Sequence, residues 1–244
     1  MVSPPDNDVL WARSLHYSHR TTPALTGMSI NARAGEILAV VGPRGSGKTT
    51  LLRCLSGQLL PDQGEVWFNS LPVHSMNALS RERLRRDRFG WIGSEPHLVP
   101  ELNVWENAAL PLLLSGTTHR KARRIAGAWL DRLDIGALAR RRPQSLTQAD
   151  RQRVSLARAL APLPAVIFAD EPTAPLHRAD GAQLLRTLTT AARSHSITVI
   201  LSSHEEEATS QADRTVQVVD GHRAGPPSGQ PGELEGQAAC SLSV

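Results

Sequence analysis

Gly42, Gly47, Lys48 and Thr49 stand in the spacing G-x-x-x-x-G-K-[ST]. This pattern lets successive backbone N–H groups converge on one anion. Gly45 and Ser46 are small enough to keep the concavity open, and a glycine can take positive φ where a Cβ would block a close approach. The contact set read from the motif runs through Gly42, Pro43, Arg44, Gly45, Ser46, Gly47, Lys48, Thr49 and Thr50. Lys48 supplies a point charge for the outer phosphates of a nucleotide, and the Thr49 hydroxyl is a ligand for Mg²⁺. Lys48 and Lys121 are the only lysines in a chain whose other cations are arginines. Hydrolysis needs two further groups, one to hold the metal and one to prepare water. Asp170-Glu171 follows the apolar run 165–168. If that run lies beside the strand of the glycine loop in a parallel sheet, Asp170 reaches the metal near Thr49 and Glu171 faces the terminal phosphate as general base. His204 also follows an apolar run, 197–201, where it is either a structural histidine or a donor to the phosphate. Tyr17 is the only tyrosine, and its position suits a half-buried strand residue as well as an aromatic stacked on adenine.

These groups need elements to place them. Residues 37–57 read as an apolar strand, the glycine loop and a leucine-bearing helix that starts near Lys48, its positive dipole end adding to the loop. Upstream, 9–17 and 24–32 alternate as strands ahead of the Ala34-Gly35 turn, and 65–69 follows the Pro61–Gly64 turn as another. The arginine-rich run 81–88 reads as a solvated helix face, and 89–93 as a short buried strand. From about 101 to 162 the pattern is helical, an insert into the α/β order. Ala122, Ile125, Ala126, Trp129, Leu130 and Leu133 keep one buried stripe, which makes Trp129 core. Thr147 and Asp150 have capping-box spacing and open a second helix. A helix over 181–193, a strand over 197–201 and a hairpin at Asp220-Gly221 complete the order, and beyond 224 the Gly, Pro and Ser content suggests a loose tail.

A chain of 244 residues, 40% hydrophobic, can bury a full core. The expected division is a fraying start over 1–8, one α/β domain over 9–223 and a tail over 224–244. There is no run of roughly 20 apolar residues to span a bilayer, and no apolar leader core, so the expectation is an intracellular soluble chain. Two cysteines, Cys54 and Cys240, give no disulfide framework, and neither is placed to be a nucleophile. The net charge of +4 comes from arginines dispersed among acids without an aromatic-rich RNA motif, which argues against nucleic acid as a partner.

Taken in order, these residues resemble the ATP-binding subunit of an ABC transporter over about 9–223. Beyond the glycine loop the resemblance rests on PDQGEVWFN, LVPELNVWENAALPLLLSG, QRVSLARAL and FADEPT. The ENAALPLLLSG stretch is most similar to the subfamily serving lipoprotein release, macrolide export and antimicrobial-peptide resistance. The resemblance implies a P-loop NTPase core with a mostly parallel sheet, an N-terminal antiparallel β subdomain and an inserted α-helical subdomain. It implies ATP and Mg²⁺, with Asp170 as metal carboxylate, Glu171 as base, His204 as switch histidine and Tyr17 as the adenine-stacking aromatic. It also implies an ATPase of the cytoplasmic side of the membrane, attached to permease subunits and paired with a second ATP-binding subunit. The alternative is a nucleotide-gated regulatory or non-transport protein with little turnover.

Three positions depart from the family pattern. Ser94 replaces the glutamine that would join Thr49 and Asp170 on the metal side, the LSGGQ signature reads Leu146-Thr147-Gln148-Ala149-Asp150, and His177 replaces the aspartate after DEPT. Asp150 puts negative charge into the first turn of the helix that should face the partner's ATP. The expectation is a poor lid for another subunit, and hence a heteromeric productive dimer in preference to a slow homodimer.

Overall fold

A computed structural model describes residues 8–204 and 210–224. The loose-tail expectation, Cys240 and nearly all of the expected fraying start lie outside the described residues.

The chain opens with two long antiparallel strands, β1 (Asp8–His19) and β2 (Thr22–Arg33), then enters β3 (Ile37–Val41) and α1 (Lys48–Leu55). β4 (Gln63–Phe68) and β5 (Leu71–Pro72) return to β1 and complete a four-stranded antiparallel sheet in the order β2-β1-β4-β5. The helix α2 (Ala78–Arg88) leads into β6 (Phe89–Ile92). Leu84 is its one buried residue, in keeping with a solvated face. Two of its arginines nevertheless tie it down: Arg81 donates to the Met76 carbonyl and Arg85 to the Gly57 carbonyl.

The helical insert contains α3 (Val104–Leu114), α4 (His119–Arg132) and α5 (Gln148–Leu160). α3 is fixed at its start by a capping box of Asn103 and Glu106. α4 buries Ala122, Ala126, Trp129 and Leu130, the expected stripe. α5 starts at the expected box, with Thr147 as N-cap and Asp150 as its reciprocal partner. Such a cap is worth about 1 kcal/mol. The chain then returns through β7 (Val166–Asp170), α6 (Arg178–Ser194), β8 (Thr198–Ser203), β9 (Arg214–Val219) and β10 (His222–Ala224).

The second sheet runs β10-β9-β3-β8-β7-β6, parallel except for the β9–β10 hairpin. It corrects one expectation: β7 does not lie beside β3, because β8 intervenes with Val40 and Asp170 both registered on Ser202. The side-chain alternation of strands explains why the carboxylate still reaches the loop. Val166, Phe168, Ile200, Leu38 and Val40 face one core, shared with Leu51, Leu52 and Leu55 of α1 and with the antiparallel sheet. Ile167, Ala169, Val199 and Leu201 face the other, shared with α3, α4, α5 and α6. Asp170 and Ser202 continue the even-numbered rows and emerge on the α1 side.

Candidate nucleotide site

β3 delivers the chain into a loop whose glycines are required for different reasons. A Cβ on Gly47 would meet the Ala24 carbonyl oxygen at 2.3 Å, and Gly47 is the N-cap of α1 at φ 97°. On Gly42 a Cβ would meet the Val218 carbonyl oxygen at 2.1 Å. Only a residue without a Cβ lets β2 and β9 approach the loop this closely. No side chain caps α1 and no acid lies in its first turn, so its positive end stays available to an anion. The Ser46 hydroxyl is buried and has no hydrogen-bond partner among the described residues. A bare helix terminus and an orphaned hydroxyl in one loop fit a phosphate ligand.

Lys48 is only 4% exposed. Its Nζ donates to the carbonyls of Gly42 (2.8 Å) and Pro43 (2.9 Å) and stands 3.4 Å from Glu171 Oε1. The ammonium is therefore held at the mouth of the loop by weak neutral acceptors that a phosphate oxygen could replace. The Thr49 hydroxyl, from α1, donates to Asp170 Oδ1, from β7, at 3.0 Å. Glu171 sits just past the end of β7 at φ 45°, an uncommon conformation for a residue with a side chain. Its Oε2 is 3.5 Å from His204 Nδ1, so lysine, glutamate and histidine form one line across the loop.

A cleft of about 380 Å³ opens over Lys48, Asp170 and Glu171, lined also by His19, Arg44, Thr49 and Ser94. Ser94 is thus at the site. Tyr17 is not among the lining residues: it is half-buried against the antiparallel-sheet core and contacts His19 edge-on at 5.0 Å. The structure puts His19 at the wall instead, its Nε2 3.1 Å from the Thr50 hydroxyl. β1 runs two residues past the 9–17 strand read from the sequence, and its last side chain, His19, lines the cleft.

The signature residues lie at the start of α5. Leu146 is buried. Thr147 Oγ1 donates to Asp150 Oδ2 at 2.7 Å, the same Oδ2 accepts the Thr147 N–H at 3.3 Å, and Thr147 Oγ1 accepts the Asp150 N–H at 3.2 Å. Gln148 and Ala149 fill the turn between them. Arg153 holds Asp150 Oδ1 at 3.8 Å and Asp180 at 3.2 Å. His177 is the N-cap residue of α6 without using its side chain as a cap. Sequence reading missed Gln152, which is fully buried and donates to the Gly93 carbonyl (2.7 Å) and the Pro172 carbonyl (2.8 Å), the residues next to Ser94 and Glu171. Burial and the nearby Asp62 push the Cys54 thiol up to about 12, which keeps it protonated and unreactive.

A strand, a glycine loop and a bare helix terminus, with a carboxylate pair two strands away, define a phosphate-loop ATPase cassette. Comparison with known proteins narrows this. The profile of the ABC transporter family matches residues 25–174. The uncharacterized ABC transporter ATP-binding protein YbbA of Escherichia coli (strain K12) is 38% identical over 197 residues, 81% of this chain and 86% of its own. The lipoprotein-releasing system ATP-binding protein LolD of Hydrogenovibrio crunogenus is 34% identical over 218 residues, 88% of this chain and 95% of its own. Among solved structures, the dimeric post-hydrolysis state of the ATP-binding cassette MJ0796 bound to ADP and Pi superposes with a TM-score of 0.81 at 26% identity, over 88% of this chain and 96% of that one. The chain belongs to the ABC transporter family, as an ATP-binding subunit.

Proposed function

We propose that this chain, acting as one cassette over residues 9–223, powers an export or membrane-extraction transporter by closing on ATP against a second ATP-binding subunit while docked on separate permease chains. The observation that carries the reading is the line Lys48–Glu171–His204 drawn across an uncapped α1. Gly42, Pro43, Arg44, Gly45, Ser46 and Gly47 wrap the phosphates, Lys48 leaves the Gly42 and Pro43 carbonyls for the outer phosphate oxygens, and Thr50 lies beside the loop against His19. Thr49 and Asp170, with Ser94 at the rim, would hold Mg²⁺, whose chemistry is to neutralise charge on the β- and γ-phosphates. Glu171 takes a proton from water as its oxygen bonds to the γ-phosphorus and the bond to the leaving ADP oxygen breaks. His204 fixes the Glu171 carboxylate and reaches the γ-phosphate side.

Two features bear on partners. A groove of about 400 Å³ is walled by Trp91, Leu110, Pro111 and Leu114 and rimmed by Arg85 and Arg158. Its apolar floor and basic edge suit a cytoplasmic segment of a permease, which supports the reading of the chain as a peripheral subunit on the inner face of the membrane. Among the described residues no helix is long and apolar enough to cross a membrane. The LolD relatives' name supports the extraction of lipid-anchored cargo. The second feature is the closed start of α5, where Thr147 and Asp150 satisfy each other and Asp150 would oppose an incoming phosphate. That favours a heteromeric dimer, in which an intact signature of the partner covers this chain's loop. It also favours, as a second reading, a nucleotide-gated protein of low turnover. Steady-state ATP hydrolysis by the chain alone and with co-purified membrane protein separates the two: stimulation supports the transporter subunit, and ATP-dependent association without turnover in either state supports the second reading.

A further inference from the structure

Ser202 has the position of a core residue and the partners of a site residue. It is fully buried in β8, the strand between β3 and β7, and its register partners are Val40 and Asp170. A hydroxyl in such a place is unfavourable unless bonded. The Ser202 Oγ donates to Asp170 Oδ1 at 2.7 Å and accepts the Glu171 N–H at 3.0 Å. That same N–H also reaches the Ser202 carbonyl at 3.2 Å. One hydroxyl therefore joins two consecutive carboxylate residues through different atoms, the side chain of the first and the backbone of the second.

Each contact has a consequence. A serine hydroxyl has one proton, and here it is committed to Asp170 Oδ1, the oxygen that also accepts from Thr49 at 3.0 Å. With two hydroxyl donors on Oδ1, the orientation of the carboxylate is fixed and Oδ2 is the oxygen left to face a cation. The lone pair that receives the Glu171 N–H anchors the backbone where it turns to φ 45°. That turn sends the Glu171 side chain toward Lys48 and His204. We infer that Ser202 is a positioning residue of the hydrolytic site, setting the metal-side orientation of Asp170 and the turn that aims Glu171 through a single hydroxyl. The inference rests on the ATPase reading above.

The test compares the full-length chain with Ser202→Ala, Ser202→Thr and Lys48→Ala, using Mn²⁺ with a non-hydrolysable ATP analogue followed by electron paramagnetic resonance. Analogue affinity in EDTA and kcat for ATP are measured alongside. Removing a group that orients a metal ligand characteristically weakens metal affinity about 10- to 100-fold. The expected result for Ser202→Ala is a loss of that size in Mn²⁺ affinity, a parallel fall in kcat, and metal-free analogue binding equal to the parent's. Ser202→Thr, which keeps the hydroxyl, restores both losses. If Ser202→Ala does not give folded protein, Ser202→Cys keeps the volume, weakens the donor and shows the same pattern. Unchanged Mn²⁺ affinity and kcat in Ser202→Ala overturn the inference. So does an equal loss of metal-free binding, which marks general loosening. Failure of the ATPase reading shows differently: the parent chain would not bind the analogue, or Lys48→Ala would bind it as the parent does.

Discussion

The first turns of α1 and α5 lie on opposite sides of the central sheet's chemistry and have opposite starts. α1 begins at Gly47 with no side-chain cap and no acid in its first turn. α5 begins at a closed box in which Thr147 and Asp150 exchange hydrogen bonds, with Arg153 behind Asp150. A helix terminus has four unsatisfied N–H groups, and what fills them decides what the helix can bind. The bare start is packed closely by neighbouring backbone, the Ala24 carbonyl against Gly47, and has no side chain of its own to compete with an anion. The capped start is more stable by itself and less able to take a ligand. Within one chain, binding capacity and local self-sufficiency have been divided between two helices.

Substitutions can break or sharpen this contrast, and the largest effect is expected at the hydrolytic end of the bare site. Glu171→Gln keeps the shape and removes the base, so turnover falls by about 10² to 10⁴ while ATP remains bound. Single-turnover hydrolysis beside equilibrium nucleotide binding checks this, and normal turnover removes Glu171 from the mechanism. Lys48→Ala removes one or two charged hydrogen bonds of about 1.5 to 3 kcal/mol each, a loss of at least tenfold in ATP affinity by titration calorimetry. Unchanged affinity would show that α1 and the loop hold the nucleotide without the lysine.

Smaller effects come from the capped helix. Changing Thr147, Gln148, Ala149 and Asp150 to Ser, Gly, Gly and Gln reopens the terminus, and the chain alone should then hydrolyse ATP faster. An unaltered chain that dimerises on ATP and turns over as fast as the altered one defeats the argument that α5 is a poor lid. Glycine in a helix costs about 1 kcal/mol per residue, so the same variant melts lower. Thr147→Ala alone removes the cap at a cost of about 1 kcal/mol, a fall of roughly 2 to 4 °C by thermal denaturation. At neutral pH the smallest effect lies on the buried face of α1 itself. Burial raises the Cys54 thiol from 9.0 to about 12, so its contribution is complete below pH 9 and is lost as pH rises from 9 toward 12. Cys54→Ala should flatten the fall in stability across that interval, while native Cys54 resists alkylation at pH 8.

The local parts of both termini were legible in the sequence. The glycine spacing placed the loop and the start of α1, and Thr147 with Asp150 placed the box on α5. The apolar stripe of α4 was read correctly because a helix writes its buried face in a 3.6-residue period. Strand order leaves no such local mark. That β8 separates β3 from β7 depends on pairing across about 160 residues of chain, as in Ala39 with Leu201. Once the order is known, alternation alone puts Ser202 beside Asp170. The place of His19 is hidden for a related reason: the aromatic at Tyr17 is chemically conspicuous, whereas the point at which β1 stops, two residues on, leaves no local mark.

Gln152 gives the capped helix a mechanical part in the site. Both hydrogens of its amide are engaged, one by the carbonyl before Ser94 and one by the carbonyl after Glu171. The two carbonyls belong to separate loops, so the side chain works as a tie rod with α5 as its crank. A displacement of α5 at that point either carries both loops with it or breaks a buried bond. The loop carrying the base and the loop that follows β6 are therefore both tied to α5 through a single amide.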